Sequence, residues 1–448
     1  SFTSIADLLG KSKTEIMPPV DRGKEYYMLS FNYLLAGFGY MMGNLLFVLF
    51  LAFLLFGSIR LVFLGIFAIL ENNKRKKWLS TLNFHSTEKV SIIVPAYNEE
   101  INIISSLNNL LKCDHTNFDI IFVDDGSKDN TYNLVKTHFL NHAKIRVFTK
   151  ENGGKASALN FGIEKSDAKF VVCIDADTRL SQNAVSLLLR NFYLANGQEN
   201  EKVAAVAGTV KVGNEVNLLT KWQSIEYITS QNFDRKGFSF LNAITVIPGA
   251  IGAFRKSILA EIGGFSSDTL AEDCDLTIRI IKSGYLVKNE PSAYAFTEVP
   301  ETIQQFIKQR FRWSFGVMQT FWKHKQLLFN TQIKSLGLVA FPDMLLFRYL
   351  IPLFMPVADI IMLIALIRND YDNILIYFII YLIVDSLVAS LSFAFEKENP
   401  LKIIWLIPQR LIYRWIMMFI FFMAFRRALK GELQSWGALK RTGNVATI

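Results

Sequence analysis

The chain has 448 residues, of which 51% are hydrophobic and 13% aromatic, and its formal net charge is +9. This apolar content is above that of ordinary globular proteins. The positive charge does not predict a nucleic-acid partner, because the basic residues 74–77 directly follow an apolar run, where a cytoplasmic membrane anchor is expected. Three cysteines, Cys113, Cys173 and Cys274, have neither metal-ligand nor disulfide spacing, which indicates a reducing compartment.

The first apolar run covers residues 34–71 and predicts one transmembrane helix. Residues 34–59 carry no charge, and about 20 apolar residues are enough to cross a bilayer. A cleaved signal peptide is disfavoured because the run is too long and begins too far from the N-terminus. We therefore expect residues 1–33 to lie outside the cell, and the chain to sit in the plasma membrane with its central domain in the cytoplasm.

Residues 85–300 alternate between strand and helix signals. Short apolar, β-branched runs alternate with helical stretches, which predicts an α/β fold with a mostly parallel sheet covered on both faces. The predicted strands are 90–95, 120–123, 145–148 and 170–174, and the predicted helices are 100–111, 130–140 and 156–165.

Polar motifs follow three of these strands directly. Asn98, Asp124-Asp125-Gly126-Ser127 and Asp175-Ala176-Asp177 each come just after the last apolar residue of a strand. Ligands of such sheets bind at the carboxyl ends of the strands. The shared placement therefore predicts one site, to which Pro95-Ala96-Tyr97-Asn98-Glu99 adds a wall for a nucleobase.

The acidic motifs have both a chemical and a plain structural interpretation. Asp175 and Asp177 can reach a divalent cation that also holds diphosphate oxygens, although an Asp-x-Asp sequence is often only a solvated turn. Asp125 can accept hydrogen bonds from a ribose or a uracil N–H, or belong to an ordinary Asp-Gly turn. The position of Asp175-Ala176-Asp177 after an apolar strand and downstream of another aspartate pair favours its chemical interpretation, whereas both interpretations of Asp125 stay open.

Two further motifs stand at predicted helix starts. Asn152-Gly153-Gly154-Lys155 offers helix N-terminal amides and a lysine to phosphate, or forms a plain loop. Glu272-Asp273 precedes an amphipathic helix, where acids are often caps. The alternative is that Asp273 is a general base that deprotonates a sugar hydroxyl.

A predicted amphipathic helix at 302–322 contains Gln309-Arg310-Phe311-Arg312-Trp313. Gln309, Arg312 and Trp313 lie on nearby faces of that helix. Arg312 can grip a departing diphosphate, and Trp313 offers a flat apolar surface to a sugar ring. Trp and Arg are also common at membrane interfaces, which leaves an anchoring role open.

The C-terminal third returns to membrane-grade composition. We expect interfacial helices over 301–344, two or three spans over 345–426 and a basic tail over 427–448. Arg410 and Arg414 interrupt the last apolar segment, so that this segment is either a span or an interfacial helix.

Taken together, the ordered motifs resemble those of membrane-bound, processive family-2 glycosyltransferases, which include cellulose, chitin, hyaluronan and poly-N-acetylglucosamine synthases. The sequence Gln309-Arg310-Phe311-Arg312-Trp313 matches the family's Q(Q/R)xRW motif in full. The resemblance covers residues 85–320 and extends into the C-terminal membrane region. It implies a GT-A fold, a UDP-sugar donor, a growing polysaccharide as acceptor, Mg²⁺ or Mn²⁺, and inversion at the anomeric carbon.

The resemblance also implies residue roles. Asp177 would hold the metal, Asp125 the uridine, and Asp273 would be the catalytic base, with Ala271 standing where the family often has Thr. The remaining substrate-binding candidates are Ala96, Asn98, Glu99, Lys155, Asp175, Gly249, Glu272, Gln309, Arg310, Arg312 and Trp313.

Within the family, poly-β-1,6-N-acetylglucosamine synthases are the best match, through residues 152–160 and the tail around Arg441-Thr442-Gly443. Residues 17–20 resemble the junction between an extracellular deacetylase domain and such a synthase, so we expect an upstream deacetylase domain or a small membrane subunit as a partner. Three alternatives stay open: another β-polysaccharide synthase, a single-transfer glycolipid glycosyltransferase, and a transporter or receptor with a nucleotide-sensing domain.

Overall fold

The computed structural model describes residues 22–84, 86–353, 360, 372–429, 443 and 445. The chain divides into two compact units, of which the smaller comprises Ser1–Gly57 and Phe354–Ile380 and the larger comprises Ser58–Leu353 and Tyr381–Ile448. The deacetylase-like junction at 17–20, most of the predicted segment 1–33, the middle of the predicted span region 345–426 and most of the tail lie outside the described residues.

The described residues of the larger unit form an eight-stranded sheet in the order β3-β2-β1-β4-β7-β6-β8-β5. The strands are β1 Val90–Ala96, β2 Phe118–Asp124, β3 Ile145–Thr149, β4 Phe170–Cys173, β5 Arg179–Leu180, β6 Val203–Val212, β7 Gly252–Arg255 and β8 Leu286–Thr297.

The helices connect and cover these strands, and one long helix precedes them. They are α1 Arg22–Thr81, α2 Ile103–Leu110, α3 Thr131–His138, α4 Lys155–Lys165, α5 Ala184–Leu189, α6 Leu218–Glu226, α7 Phe233–Phe240, α8 Lys256–Glu261, α9 Glu272–Lys282, α10 Ile303–Lys323, α11 Phe341–Asp343, α12 Asp372–Glu396 and α13 Leu406–Leu429. Short 3₁₀-helices span Arg190–Phe192, Lys325–Leu327 and Pro400–Trp405, and π-helices span Tyr227–Asn232, Ser335–Ala340 and Met344–Leu350.

The sheet is buried on both faces, as its apolar strands require. All seven residues of β1 and all seven of β2 are buried, and separate apolar clusters lie on the two sides of the sheet. Helix α4 approaches unusually closely, because a Cβ on Gly162 would lie 2.6 Å from Ile93. This contact places the start of α4 beside the carboxyl ends of β1 and β2.

The prediction of an α/β fold is confirmed, but the sheet is mixed to a greater degree than predicted. Strands β1 to β4, which correspond to the predicted strands, pair in parallel. Strand β7 is antiparallel to both β4 and β6, and β5 is antiparallel to β8. The polar motifs that follow β1, β2 and β4 therefore meet at one edge, because parallel strands end on the same side.

Three described helical segments are long and apolar enough to cross a membrane: Phe47–Thr81, Ser335–Leu353 and Ile379–Glu396. The second begins before the predicted boundary at residue 345. Pro400–Arg410 and Trp415–Ala428 pass the same criterion only as a pair with a 56° bend between them. This break falls where Arg410 and Arg414 interrupt the apolar pattern, so both interpretations of that segment stay open.

Candidate active site

A cavity of about 710 Å³ opens at the carboxyl ends of β1, β2 and β4, within the larger unit. Its wall contains every predicted site residue except Asn98. These lining residues are Ala96, Glu99, Asp125, Lys155, Asp175, Asp177, Gly249, Glu272, Asp273, Gln309, Arg310, Arg312 and Trp313. The structure thus brings together motifs that are separated by nearly half of the chain.

Asn98 lies beside the cavity and connects two of its loops. It has a left-handed backbone with φ of 57°. Its side-chain Oδ1 accepts a hydrogen bond from the Lys128 backbone N–H at 2.8 Å, and its own N–H donates to the Ser127 hydroxyl at 3.0 Å. These bonds hold the turn after β2 against the turn after β1.

Asp125 is 2% exposed and is held by the loop that opens α4. Its carboxylate accepts hydrogen bonds from the backbone N–H groups of Gly153 at 3.1 Å and Gly154 at 2.7 Å, and from Lys150 Nζ at 2.8 Å. Gly154 has φ of 83°, a conformation that favours glycine. The Asn-Gly-Gly loop and the Asp-Gly turn are therefore one substructure, which fixes a carboxylate on the cavity wall.

Lys155 links three of the predicted acids. Its Nζ lies 2.5 Å from Asp175 Oδ1 and 3.3 Å from Glu272 Oε1. Burial alone would lower the pKa of Lys155, but the charges of Asp175, Glu272 and Asp273 outweigh burial and raise it. Lys155 therefore stays charged, and it holds the Asp175 motif beside the Glu272-Asp273 motif.

Gly249 packs directly against this ion pair. A Cβ at this position would lie 2.5 Å from Lys155 Nζ and 3.5 Å from Asp175 Oδ1. Only a residue without a side chain leaves the pair in place. Gly249 thus supports the predicted site through Lys155.

Asp273 is the second residue of α9 and lies on the cavity wall. Burial, together with the adjacent charge of Glu272, raises the pKa of Asp273 to about 7, although Lys155 and the Cys274 N–H, which donates to Oδ1 at 2.8 Å, act in the opposite direction. A carboxylate whose pKa lies near neutrality suits a general base. The residue that precedes the helix is Ala271, which makes no side-chain cap, so Asp273 does not cap α9 but lies in its first turn, and its role as the base stays a prediction.

Asp177 and Asp175 have the donor chemistry of a divalent-cation site. Asp177 is 3% exposed and accepts a hydrogen bond from Thr297 Oγ1 at 3.4 Å, while the Asp175 side chain is 33% exposed. Within the described residues no three Asp, Glu, His or Cys side chains are grouped closely enough to enclose a metal. Two carboxylates fit an ion that takes its other ligands from diphosphate and water.

Helix α10 carries Gln309, Arg312 and Trp313 to the cavity. Thr302 caps the start of the helix, because its side chain accepts a hydrogen bond from the Gln305 N–H at 3.4 Å. Gln309 is 6% exposed, and its Oε1 has no hydrogen-bond partner among the described residues. A buried acceptor without a partner is costly unless a ligand supplies a donor.

Arg310 also reaches the wall but is held from within the protein. Its Nη2 donates to Glu226 Oε2 at 2.7 Å, its guanidinium lies 4.3 Å from the Trp313 ring centroid, and the residue is 2% exposed. The Tyr413 hydroxyl donates to the same Glu226 oxygen at 2.8 Å. These contacts connect α10 to α6 and α13, and a direct substrate contact by Arg310 stays a prediction.

The sequence analysis missed several groups that complete the site. Lys150 holds Asp125, and Asp275 connects α9 to the end of α10 by accepting hydrogen bonds from Arg279, His324 and Lys323, each at 2.8 Å. The four-residue spacing of Asp275 and Arg279 on a helix could have indicated one of these pairs. The others join positions far apart in the chain and have no local sequence signal.

The cavity also continues beyond the predicted residues. Its wall also includes Arg235, Arg348 and Tyr381. Arg348 belongs to the apolar segment Ser335–Leu353, and Tyr381 belongs to the apolar segment Ile379–Glu396. Residues of helical segments that are long and apolar enough to cross a membrane therefore line the same cavity as the acids.

Comparison with known proteins agrees with this geometry. Residues 91–263 match the family described as glycosyl transferase family 2. A poly-beta-1,6-N-acetyl-D-glucosamine synthase of Staphylococcus epidermidis is 30% identical over 404 residues, which cover 85% of this chain and 93% of that protein. A protein of the same name from Staphylococcus aureus strain COL is 33% identical over 235 residues, or 52% of this chain and 56% of that protein.

A solved structure gives the same fold. A mannosyltransferase from Pyrobaculum calidifontis, in complex with GDP-Man and Mn²⁺, aligns with a TM-score of 0.56 at 20% identity, covering 85% of this chain and all of that chain. At this identity the likeness shows the fold alone, and it confirms the expected GT-A type. Fold, site and sequence relatives lead to the same conclusion: the chain is a glycosyltransferase that belongs to family 2.

Proposed function

We propose that this chain polymerises N-acetylglucosamine from UDP-N-acetylglucosamine into an exported β-linked polysaccharide. The observation that carries the proposal is the continuity of the cavity. It runs from Asp125 and Asp177, past Asp273, to Tyr349 and Phe421 in the apolar helical segments. A product that leaves the base therefore enters space lined by membrane-grade helices, as a polymer in export would require.

The choice of donor rests on the relatives. The similar staphylococcal proteins are named for poly-β-1,6-N-acetyl-D-glucosamine, and the one from Staphylococcus epidermidis matches over 93% of its own length. The Asp125 carboxylate on the cavity wall suits the nucleoside of such a donor, and the helix N-terminus at Lys155 suits its phosphates.

The reaction we propose is a single displacement with inversion. Asp273 takes the proton of the acceptor hydroxyl, whose oxygen attacks the anomeric carbon of the donor while the bond to UDP breaks. Arg312 and Lys155 stabilise charge that develops on the departing diphosphate. A divalent cation, Mg²⁺ or Mn²⁺, held by Asp177 with Asp175 beside it would neutralise the diphosphate when bound.

The proposed membrane arrangement follows from the positive charge near the end of α1. The basic residues 74–77 lie at the end of the candidate span Phe47–Thr81 and directly before the catalytic domain. By the positive-inside rule, the catalytic domain then lies in the cytoplasm, where UDP-sugars are made, and the polymer leaves through the plasma membrane.

The test is donor use and product size. The purified protein, reconstituted in lipid with Mg²⁺ or Mn²⁺, is given each UDP-sugar separately, and UDP release is measured. We expect release only from UDP-N-acetylglucosamine and a long product that a β-1,6-N-acetylglucosaminidase digests. Release from another donor would assign the chain to another polysaccharide synthase, and a product of one or two sugars would indicate a glycolipid transferase.

A further inference from the structure

Two arginines on the membrane side of the cavity differ from their neighbours in lacking a carboxylate partner. Arg60, Arg310 and Arg410 each lie within 3 Å of an acid: Arg60 of Asp343 at 2.5 Å, Arg310 of Glu226 at 2.7 Å and Arg410 of Asp385 at 2.9 Å. In the described part of the chain, no carboxylate oxygen lies within 4.0 Å of Arg235 or Arg348.

Arg235 is a buried cation that only neutral groups satisfy. It is 7% exposed and lies on α7, and its Nη1 donates to the Gly208 carbonyl at 3.0 Å and to Asn232 Oδ1 at 3.4 Å. Burial lowers the pKa of Arg235 to about 10, and the more distant acids Glu396, Asp234 and Asp273 offset burial only in part. A buried guanidinium without a counter-charge is expensive, unless a ligand supplies oxygen acceptors.

Arg348 belongs to the apolar segment Ser335–Leu353 and lines the same cavity. An ionisable residue in such a segment is costly and usually marks a polar pathway. Its charge acts on Arg235 and on Cys274, which is the residue next to the proposed base. Both arginines therefore line the cavity that contains Asp273.

We propose that Arg235 and Arg348 form an acceptor subsite that binds the N-acetylated end of the growing chain and disfavours an end sugar with a protonated amine. This inference rests on the proposed function. A guanidinium donates in a fork to acetamide and hydroxyl oxygens, which are acceptors. An ammonium group in place of the acetamide offers only donors and repels both arginines, so the same pair selects for one sugar and against the other.

The test compares two acceptors with UDP-N-acetylglucosamine as donor at pH 7. One is a short β-1,6-linked N-acetylglucosamine oligosaccharide, and the other is the same oligosaccharide with glucosamine at its non-reducing end. We expect the wild-type protein to use the first at least tenfold better. Arg348→Gln should raise the KM for the acetylated acceptor about tenfold and reduce the preference about tenfold.

Two further variants separate charge from shape. Arg348→Lys keeps the charge and should keep the preference while its KM rises, and Arg235→Lys should do the same. Lys334→Gln removes an exposed charge just before the same apolar segment and outside the cavity lining, so it should change neither quantity.

Two results would overturn the inference. One is equal use of both acceptors by the wild-type protein, and the other is an Arg348→Gln variant that keeps the wild-type preference between the two acceptors. Failure of the underlying function is recognised separately, because the wild-type protein would then release no UDP from UDP-N-acetylglucosamine with either acceptor or with water.

Discussion

The donor end and the membrane end of the cavity use charge differently. At the donor end, acids that face the cavity are held by lysines and loop amides, as Lys155 holds Asp175 and as Lys150 holds Asp125. At the membrane end, arginines are held by acids on other helices, as Arg310 is by Glu226 and Arg410 by Asp385. The first arrangement orients groups for chemistry, and the second fixes one helix against another.

This difference predicts which substitutions reduce activity and which reduce stability. Charges at the donor end lie on short loops after strands or in the first turns of helices, so their loss should leave the sheet intact. Charges at the membrane end connect distant helices through buried contacts, so the loss of one partner leaves an unpaired charge in the interior.

The largest effect should come from Asp273→Asn. The amide cannot accept the proton of the acceptor hydroxyl, and general-base catalysis contributes about 10²- to 10⁴-fold. We expect transfer to fall by about 10³-fold in single-turnover assays, while UDP binding by calorimetry stays within about twofold of the wild type. Retained polymerisation would exclude Asp273 as the base.

The two arginines of the motif Gln309–Trp313 should differ in whether their loss reduces activity or stability. Arg312→Gln should lower kcat by about 10²-fold through lost stabilisation of the diphosphate, with the thermal midpoint unchanged. Arg310→Gln leaves the half-buried Glu226 with only the Tyr413 hydroxyl, and we expect a loss of about 3 kcal/mol in the free energy of unfolding. Equal thermal midpoints for the two variants would contradict the proposed division between the two ends.

A smaller effect should follow from Gly249→Ala. The added Cβ would lie 2.5 Å from Lys155 Nζ, the mobile end of a long side chain, so Lys155 shifts and the fold remains. We expect about a tenfold fall in kcat/KM, since a displacement near 1 Å can cost up to about 10²-fold, with little change in the thermal midpoint.

Gly65→Ala is the matched control for that substitution. Gly65 lies in α1, and its nearest contact to an added Cβ is Phe233 at 4.0 Å. The same chemical change should therefore leave kcat/KM unaltered and slightly stabilise the helix. Equal losses in both variants would mean that the Gly249 effect is not local to Lys155.

The parallel half of the sheet and the donor end were predictable, because each buried strand is a continuous apolar run that ends in a polar motif. The expected strands at 90–95, 120–123, 145–148 and 170–174 correspond to β1 to β4. Strand topology beyond β4 was not predictable in this way. Strand β7 inserts between β4 and β6 in antiparallel orientation, and that choice depends on contacts between distant residues.

The membrane end was less predictable for a related reason. Arg310 belongs to the motif Gln309–Trp313 and by sequence alone is equivalent to Arg312, but the structure pairs it with Glu226, which no local pattern connects to it. The same holds for Arg235 and Arg348, whose distinguishing feature is the lack of an acid neighbour. Such a feature exists only once the helices are packed.

The most specific predicted effect is the pH dependence of transfer. Burial and the charge of Glu272 raise the pKa of Asp273 to about 7, so kcat/KM should fall about tenfold for each pH unit below 7 and level off above about pH 8.

Acid denaturation would also reduce activity at low pH, but it would lower the thermal midpoint at the same time. Since the folded protein binds this proton more tightly than the unfolded chain, the contribution of Asp273 to stability increases as the pH falls from about 7 towards about 4. Activity should therefore decline from pH 8 to pH 6 without a fall in the thermal midpoint, and the residual activity of Asp273→Asn should lack this pH dependence. A flat wild-type profile over that range would assign the base to another group.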